Sequence, residues 1–372
     1  MIYEFVAPCY FGTERSAAFD FKRIGAQEVT VTDGRVSFKG DAEVLARANI
    51  ESRCAERILL LLRRAKTVTF DELFDSVYAV PWESLLPANA EFPVKGSSLS
   101  STLSSVPACQ SIVKKAVVER LKKGHKVTVL PEDGDLYKIR FSIRKDVMEL
   151  FLDTSGDGLH KRGYRARATE APIKETLASA IIDLARVRAD SLVQDPFCGS
   201  GTMIIEAAQK ALRIAPGLRR KFIAEHYAFV PQKAWQMARE KAIDEIDRSG
   251  IFEGIGFDID PRAVELANHN ASLAGVGERC RFFTADVSSF APASRSLVLT
   301  NPPYGERLGD LEQAGQLERV LGERLRENPV AGTYVITADA EFEQNFGKKA
   351  DRRRKLYNGM IPCQLYMYFQ KK

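Results

Sequence analysis

The tetrapeptide Asn301-Pro302-Pro303-Tyr304 has the residue types needed to hold a planar amine. It follows the apolar run at residues 297–299, which is typical of a strand buried on both faces. Asn301 precedes a proline and is therefore held in an extended conformation, and the two prolines stiffen the exit from the strand. The pattern predicts a rigid loop at the C-terminal edge of a sheet, where open α/β sheets bind ligands.

Two carbonyl groups in this loop can accept hydrogen bonds from one exocyclic amine: the side-chain carbonyl of Asn301 and the backbone carbonyl of Pro302. Tyr304 can lie flat against the ring that carries the amine. Because the lone pair of a base amine is delocalised into its ring, two acceptors that hold its protons favour a pyramidal nitrogen whose lone pair faces an electrophile. The alternative interpretation is a proline-rich turn with a stacked tyrosine, since short motifs also occur by chance.

A glycine-rich loop at residues 195–202 lies between a predicted strand and a predicted helix. Gly199 and Gly201 allow the backbone to turn sharply and approach a ligand closely, and Phe197 beside them is a further candidate contact. A dinucleotide site is the competing interpretation, but the third glycine of G-x-G-x-x-G is missing and the carboxylate of Asp195 would repel a pyrophosphate. That carboxylate suits the ammonium group of S-adenosylmethionine, whose own carboxylate would meet free N–H groups at the helix start.

Two further strand ends carry acidic residues. Asp258 follows the second predicted strand and can accept from both ribose hydroxyls, with Ile259 beside it in the same candidate cofactor site. Asp260 precedes a proline and is assigned to a helix cap. Asp286 follows the third strand, where its carboxylate can accept from the adenine amine, although alone it would more often be a simple cap. The order of the strand ends predicts ammonium, ribose and adenine sites, followed by the loop of Asn301.

The composition favours a cytoplasmic protein of two or three domains. At 372 residues, with 45% hydrophobic and 28% charged residues, the chain has an ordinary globular make-up. No apolar run is long enough to span a membrane, and the N-terminus lacks the pattern of a signal peptide. Six scattered cysteines without a CxxC pair, and only four histidines, predict a thiol-reduced protein without a metal site.

Local signals predict small α+β units before the glycine-rich loop. Asp33-Gly34 predicts a β-hairpin, and Asp41 is a candidate cap for the helix that follows. Thr69 and Glu72 have the spacing of a capping box at the start of a later helix.

A long helix is predicted at residues 107–123, after a short strand that ends in a turn at Gly96. Gly124 is expected to end this helix as its C′ glycine. Four of its cations are candidates for contacts with an RNA backbone: Lys114, Lys115, Lys122 and Lys123. A solvent-facing amphipathic helix also explains them.

The polar, glycine-rich segment at residues 153–167 predicts a linker and carries the further RNA-binding candidates Lys161, Arg162 and Arg165. Cations beside glycines and aromatic residues suit a loop that follows a nucleic-acid strand. The net charge of +5 is modest, but basic residues gather in five clusters, the last at residues 352–355. Each cluster alone is compatible with a solvated helix face, whereas together they favour a polyanionic partner.

The remaining chain alternates strands and helices, as in a mostly parallel sheet. Strands are predicted at residues 192–194, 251–257, 281–284, 297–300, 333–337 and 363–369. Residues 214–250 are predicted to form a helical insertion after the first strand–helix unit.

This arrangement resembles the class I S-adenosylmethionine-dependent methyltransferases that act on amino groups. Four segments more narrowly resemble the THUMP-domain RNA methyltransferases that modify guanine N2 in 23S ribosomal RNA, with relatives acting on tRNA: residues 92–96, 153–165, 171–176 and 301–305. The resemblance covers nearly the whole chain. It implies α+β ferredoxin-like and THUMP domains at residues 1–55 and 56–155, a linker at 156–170, and a Rossmann-like α/β catalytic domain at 171–372.

The combined hypothesis is an enzyme that transfers a methyl group from S-adenosylmethionine to N2 of a guanine in structured RNA, with 23S rRNA as the substrate that the resemblance implies. Asn301, Pro302 and Tyr304 are its catalytic candidates, and Asn301 also belongs to the candidate cofactor site. The alternatives are a tRNA substrate, a protein glutamine amide as acceptor, and a non-catalytic RNA-binding or assembly protein. The tetrapeptide suits adenine N6 as well as guanine N2. The sequence does not specify an oligomeric state, and a monomer is compatible with it.

Overall fold

The computed structural model describes residues 1–165, 173–303, 308–359 and 361–370. Its first half is built on a seven-stranded sheet. The strands are β1 (Tyr3–Pro8), β2 (Gln27–Thr32), β3 (Arg35–Gly40), β4 (Leu59–Lys66), β5 (Val94–Leu99), β6 (Ile139–Arg144) and β7 (Val147–Asp153). Their spatial order is β2-β3-β1-β4-β7-β6-β5, with β5 and β6 parallel and the other neighbours antiparallel.

One face of this sheet is covered by helices. They are α1 (Glu14–Arg23), α2 (Ala42–Glu51), α3 (Phe70–Tyr78) and α4 (Val106–His125). Alternate strand positions point to the same face, so apolar side chains such as Phe5, Leu60 and Leu150 enter one core with residues of all four helices. β1 and β4 pair directly, at Phe5 with Leu60, so the two units predicted at residues 1–55 and 56–155 share a sheet and a core.

The local signals in this half have the predicted consequences. Asp33-Gly34 forms the turn between β2 and β3, with Gly34 in the left-handed region at φ 72°. The side chain of Asp41 caps α2, and Thr69 and Glu72 form the reciprocal capping box of α3.

Two glycine predictions were wrong. Gly96 lies inside β5 and not in a turn. A glycine is needed there because a Cβ would come within 2.4 Å of the Phe141 ring on the neighbouring strand. Gly124 lies inside α4, which continues to His125 and is followed by Lys126 in the left-handed conformation. A Cβ at Gly124 would lie 2.6 Å from the Glu83 side chain, so this glycine permits close packing and does not end the helix.

The second half is built on a mostly parallel sheet. Its strands are β8 (Leu192–Asp195), β9 (Glu253–Asp258), β10 (Cys280–Thr284), β11 (Leu297–Thr300), β12 (Gly332–Thr337), β13 (Arg352–Asn358) and β14 (Ile361–Phe369). They lie in the order β10-β9-β8-β11-β12-β14-β13; β14 is antiparallel to both of its neighbours, β12 and β13, and the other neighbouring pairs are parallel. The helices are α5 (Glu175–Leu184), α6 (Thr202–Ala211), α7 (Gln232–Asp244), α8 (Pro261–Ala274), α9 (Leu308–Glu327) and α10 (Phe342–Phe346).

Every strand predicted for this half is present, and one strand was missed. The basic cluster at residues 352–355 forms the first part of β13, which pairs with β14 at the edge of the sheet. Four consecutive cations hid the strand pattern, since an edge strand tolerates charges that a buried strand does not. The predicted helical insertion contains α7, whose Trp235 and Ala238 pack into the core of the first half.

The segment predicted as a linker is largely packed. Asp153, Thr154, Ser155 and Tyr164 are buried. Arg162 is also buried; its guanidinium lies 3.5 Å from the carboxylate of Glu206, on α6, and donates to the backbone carbonyls of Arg53 and Leu159. Arg162 was predicted to contact RNA; in the structure its buried donors hold the connecting segment to both halves.

Three further observations bear on the class of protein. No helix in the described ranges has the length and apolar character of a membrane span. All six cysteines are buried and free. The described residues contain no group of His, Cys, Asp and Glu side chains arranged to hold a metal ion.

Arg162→Met should lower the free energy of unfolding by about 3 kcal/mol or more, because it leaves the carboxylate of Glu206 buried without its cation. Lys161→Met is the matched control, since the Lys161 side chain is 62% exposed and forms a surface ion pair with Asp157. Urea unfolding followed by far-UV circular dichroism measures both. Equal stability of the two variants would contradict the structural role of Arg162.

Candidate functional site

The site lies where the second sheet reverses its strand order. From β8 the chain moves outward to β9 and β10 and then returns to β11 on the other side of β8. Ligands of open α/β sheets bind outside the carboxyl ends of the strands at such a reversal. Asp195 ends β8 and Thr300 ends β11, and the Thr300 hydroxyl donates to Asp195 Oδ1 at 2.6 Å.

The environment of Asp195 favours a cationic ligand. Its side chain is 2% exposed, and burial raises the pKa of the carboxyl to about 7, against the smaller lowering effects of hydrogen bonds from Thr300 and the Phe197 N–H. The negative charge of Asp258 also contributes to this raised pKa. A buried carboxyl that is half protonated near neutral pH is stabilised in its charged form by a nearby cation. The predicted contact with an ammonium group is consistent with this chemistry.

The loop after β8 depends on its two predicted glycines. Gly199 and Gly201 have φ values of 50° and 83°. A Cβ at Gly201 would lie 3.0 Å from the Phe282 ring and 3.1 Å from Ala267, so the loop packs too closely for a side chain there. Gly201 immediately precedes α6, so this loop presents the N-terminus of that helix, and Phe197 is half-buried beside it.

Asp258 joins this loop to the end of β9. Its Oδ2 accepts from the Gly199 N–H at 2.9 Å, and its Oδ1 accepts from the Asp260 N–H at 2.9 Å. Because each carboxylate oxygen has two lone pairs, a further acceptor position remains on each for a ribose hydroxyl. Asp260 caps α8 by accepting from the Arg262 N–H, which confirms its predicted structural role.

The ends of β9 and β10 carry exposed apolar side chains. Ile259 is 69% exposed and Phe283 is 47% exposed, although both belong to the interior-preferring residue types. Asp286 follows them along the chain and caps a short 3₁₀ turn by accepting from the Ser288 N–H. Hydrogen bonds with the side chain and then the N–H of Ser288 lower the pKa of the Asp286 carboxyl. The backbone N–H of Ala285 donates to the Asp258 carbonyl at 3.0 Å, so the predicted ribose and adenine positions are adjacent.

The loop that starts at Asn301, named the acceptor loop for its predicted hydrogen-bond acceptors, begins beside this series of strand ends. Asn301 is half-buried and follows the Thr300 that donates to Asp195, and Pro302 is buried. Pro303 is exposed. Tyr304 lies outside the described residues. The structure therefore brings Asn301 and the predicted cofactor residues to one edge of the sheet.

The predicted RNA-binding lysines of α4 differ in their exposure. Lys115 and Lys123 are exposed, whereas Lys122 is half-buried. Lys114 is engaged within the protein: its ammonium lies 2.6 Å from Glu132 and 3.4 Å from the centre of the Phe92 ring. Lys161 remains exposed on the connecting segment.

Arg165 is bonded to residues of the second half of the protein. Its guanidinium donates to the Thr202 hydroxyl, at the first residue of α6, and to the Ile173 carbonyl at 3.2 Å. It also lies 3.5 Å from Glu175, and its side chain is 14% exposed. Its contact with RNA stays a prediction; in the structure these interactions direct the guanidinium to the start of α6.

Sequence reasoning missed two residues of this site. Thr300 is an ordinary strand residue in the sequence, and only the pairing of β8 with β11 shows that it orients Asp195. Phe283 is an apolar residue in a strand, and its exposure at the sheet edge is a property of the fold. The period-2 alternation of Arg281, Phe282 and Phe283 was the one available signal, since it places Phe282 on the buried side.

The residues present fit S-adenosylmethionine. Asp195 matches the ammonium group in charge, the start of α6 matches the carboxylate, and Asp258 has acceptor capacity for two hydroxyls. Ile259 and Phe283 provide apolar surface for a planar ring.

Comparison with protein-family models matches almost the whole chain. The model described as RMKL-like, methyltransferase domain, matches residues 162–367. The model described as RlmL ferredoxin-like domain matches residues 4–59, and the THUMP domain model matches residues 68–153.

Three relatives illustrate the similarity. YpsC of Bacillus subtilis, named as a candidate RNA methyltransferase, is 40% identical and covers 99% of this chain and 96% of its own length. The ribosomal RNA large subunit methyltransferase K/L of Syntrophotalea carbinolica is 35% identical over 97% of this chain, which spans only 53% of that relative. The crystal structure of SMU.472, a candidate methyltransferase complexed with SAH, has a TM-score of 0.93 and 38% identity, with 100% of this chain and 99% of that chain covered.

The affinity for S-adenosylmethionine should rise between about pH 6 and about pH 7.5, roughly fivefold or more, because the ammonium group favours the ionised form of Asp195 and the pKa of that carboxyl is raised to about 7. Asp195→Asn should bind more weakly and show no rise over this range. Isothermal titration calorimetry at several pH values measures both proteins. A wild-type affinity independent of pH would exclude Asp195 as the ammonium partner.

Proposed function

The chain belongs to the RMKL-like family of S-adenosylmethionine-dependent RNA methyltransferases, and we propose that it methylates the N2 amine of a guanine in 23S ribosomal RNA. Family membership confirms the predicted fold class, a Rossmann-like methyltransferase domain preceded by ferredoxin-like and THUMP domains, and the predicted cofactor. The K/L relatives are named for ribosomal RNA, but the chain spans about half of their length, so the ribosomal substrate is part of the proposal.

The observation that supports the proposal is the position of Asn301. It follows directly on Thr300, which is hydrogen-bonded to Asp195 at the strand reversal. The residue before the acceptor loop, Thr300, and the candidate ammonium ligand, Asp195, are therefore joined by a hydrogen bond of 2.6 Å between Oγ1 and Oδ1. Methyl transfer requires the donor carbon and the acceptor nitrogen to be held in line, and a common rigid origin for both loops provides that positioning.

The residues of the acceptor loop have simple roles in this proposal. The side-chain carbonyl of Asn301 and the backbone carbonyl of Pro302 accept the two protons of the amine and direct its lone pair outward. Tyr304 stacks on the base. Bound S-adenosylmethionine supplies an activated methyl group on a sulfonium. Asn301 cannot accept the proton as a base, and the proton leaves to water after transfer.

Other acceptors are compatible with parts of the site. The two carbonyl groups would suit adenine N6, and tRNA is an alternative substrate for a THUMP-containing chain. A glutamine amide in a protein would also fit two acceptors, but it gives no role to the THUMP half. A non-catalytic RNA-binding protein would not need a complete series of Asp195, Gly201, Asp258 and Asn301.

Asn301→Ala should reduce the rate of methyl transfer by at least a hundredfold while changing the affinity for S-adenosylmethionine by less than about threefold, because positioning of the acceptor is lost and the cofactor contacts remain. Asn268→Ala is the matched control, since Asn268 donates to a backbone carbonyl within α8. Single-turnover transfer of a labelled methyl group, together with calorimetry, separates the two properties. Loss of both to the same extent would contradict the proposed role.

The RNA substrate is identified by nucleoside mass spectrometry of ribosomal and transfer RNA from a strain that lacks the gene. We expect N2-methylguanosine to decrease in 23S rRNA and to return when the wild-type gene, but not the Asn301→Ala gene, is restored. A decrease in tRNA would select the alternative substrate, and a decrease of N6-methyladenosine would select the alternative base. No change in any methylated nucleoside would contradict the proposed function.

A further inference from the structure

The first sheet has a cationic pocket on the face opposite its helices. The pocket has a volume of about 410 Å³ and is lined by Arg35, Arg64, Arg144, Lys145, Val147 and Glu149. These residues belong to β3, β4, β6, β7 and the turn between β6 and β7. The pocket therefore spans both the ferredoxin-like and the THUMP half of the shared sheet.

Strand register explains why these charges lie together. Arg64 is paired with Glu149, and Arg144 is paired with Val147, so these four side chains share one face. Their neighbours along β7, Met148 among them, point to the opposite face and enter the helix-covered core. Side chains far apart in the sequence are in this way brought to a single surface.

Glu149 forms ion pairs with both Arg35 and Arg64. Its side chain is 9% exposed; Oε1 accepts from Arg64 Nε at 3.0 Å, and Oε2 accepts from Arg35 Nη1. Arg64 also reaches Glu4 at 3.5 Å. Each guanidinium carries five N–H donors, so most of them remain for a ligand. One buried carboxylate thus fixes two guanidinium groups side by side and offsets only part of the positive charge.

The other two cations are not compensated. Among the described residues, neither Arg144 nor Lys145 has an ion-pair partner, and both are exposed. Lys145 and Asp146 form the β6–β7 turn with φ values of 51° and 62°, in the left-handed region that favours glycine. The Thr67 N–H donates to the backbone carbonyl of Asp146 at 2.8 Å, and the Thr102 N–H donates to its carboxylate at 2.7 Å. These two bonds hold the turn in place. A strained but well-anchored turn keeps Lys145 at the edge of the pocket.

We infer that this pocket binds a backbone phosphate of the RNA that the enzyme modifies. Planar guanidinium groups match the oxygens of a phosphate in pairs, and Glu149 holds Arg35 and Arg64 in advance of binding. The uncompensated charges of Arg144 and Lys145 add a long-range attraction for a polyanion. The inference rests on the proposed function for the nature of the polyanion, and it assigns the contact to the open face of the sheet instead of the lysines of α4.

The test uses the full-length protein and a fluorescently labelled 24-nucleotide RNA hairpin, with affinity measured by anisotropy over a series of KCl concentrations. Arg144→Gln and Lys145→Gln are the primary variants because neither removes an ion pair of the part of the chain that the structure describes. Each should weaken binding about three- to tenfold at low salt and reduce the slope of log affinity against log salt by about one. Arg64→Gln should have at least the same effect.

Arg15→Gln is the matched control. Arg15 is an exposed arginine of α1, on the helix-covered side of the same sheet. Circular dichroism and the affinity for S-adenosylmethionine must equal the wild-type values in every variant used. If Arg144→Gln and Lys145→Gln bind the hairpin with the affinity and salt slope of Arg15→Gln, the inference is overturned.

A second arm distinguishes RNA from a free anion. Inorganic phosphate is titrated into wild type and Arg144→Gln, with thermal stability as the readout. Phosphate binding that is lost in Arg144→Gln, together with unchanged hairpin affinity, would identify a free-anion site and overturn the inference. Loss of hairpin affinity, with or without phosphate binding, supports it.

Methyl transfer separates this inference from the proposed function. Total RNA from the gene-deleted strain is the acceptor, and the pocket variants should raise KM for RNA several-fold with kcat within about twofold of wild type. If the wild-type protein binds the hairpin through the pocket but transfers no methyl group to RNA, the proposed function fails and the phosphate site stands. If it methylates RNA and the variants have an unchanged KM, the phosphate site fails and the proposed function stands.

Discussion

The hydrogen bond from Thr300 to Asp195 joins the two strand ends between which the second sheet reverses its order. The glycine-rich loop leaves from one end and the acceptor loop from the other, so the relative position of both loops depends on this bond. Burial raises the pKa of Asp195 to about 7, and a cation beside it would favour the charged form. A charged acceptor strengthens the bond with Thr300, so a cation bound at Asp195 would also stabilise the strand end from which Asn301 follows.

A second set of bonds attaches the cofactor-site helix to the rest of the protein. Three arginines contact α6 along one side: Arg165 at the Thr202 hydroxyl, Arg162 at the Glu206 carboxylate and Arg53 at the Gln209 carbonyl. Positions 202, 206 and 209 are separated by four and three residues and lie on one helix face. Arg53 belongs to the ferredoxin-like half, and the other two belong to the connecting segment. The helix whose N-terminus is the candidate carboxylate site is therefore fixed to the ferredoxin-like domain and to the connecting segment.

The predictable features are those specified by neighbouring residues. The hairpin at Asp33-Gly34, the capping box of Thr69 with Glu72 and the cap of Asp260 each need only a few adjacent side chains, and all are present. The series of strand ends was also predictable, because every parallel strand delivers its last residue to the same edge. The role of Gly124 was not, since the side chain that requires a glycine there belongs to Glu83, about forty residues earlier.

The surroundings of the basic residues also depended on distant parts of the chain and could not be predicted from sequence clusters. Clusters along the chain suggested Arg162 and Arg165 as RNA contacts, but both are turned inward and bonded to α6 and its neighbours. In a strand, adjacent residues face opposite sides, so a run such as residues 352–355 is divided between two surfaces. A surface rich in positive charge is instead assembled across strands, as Arg35, Arg64 and Arg144 show. Because cross-strand register decides which charges meet, a polyanion site on a sheet is specified by the pairing of several strands and cannot be read from any one segment of the sequence.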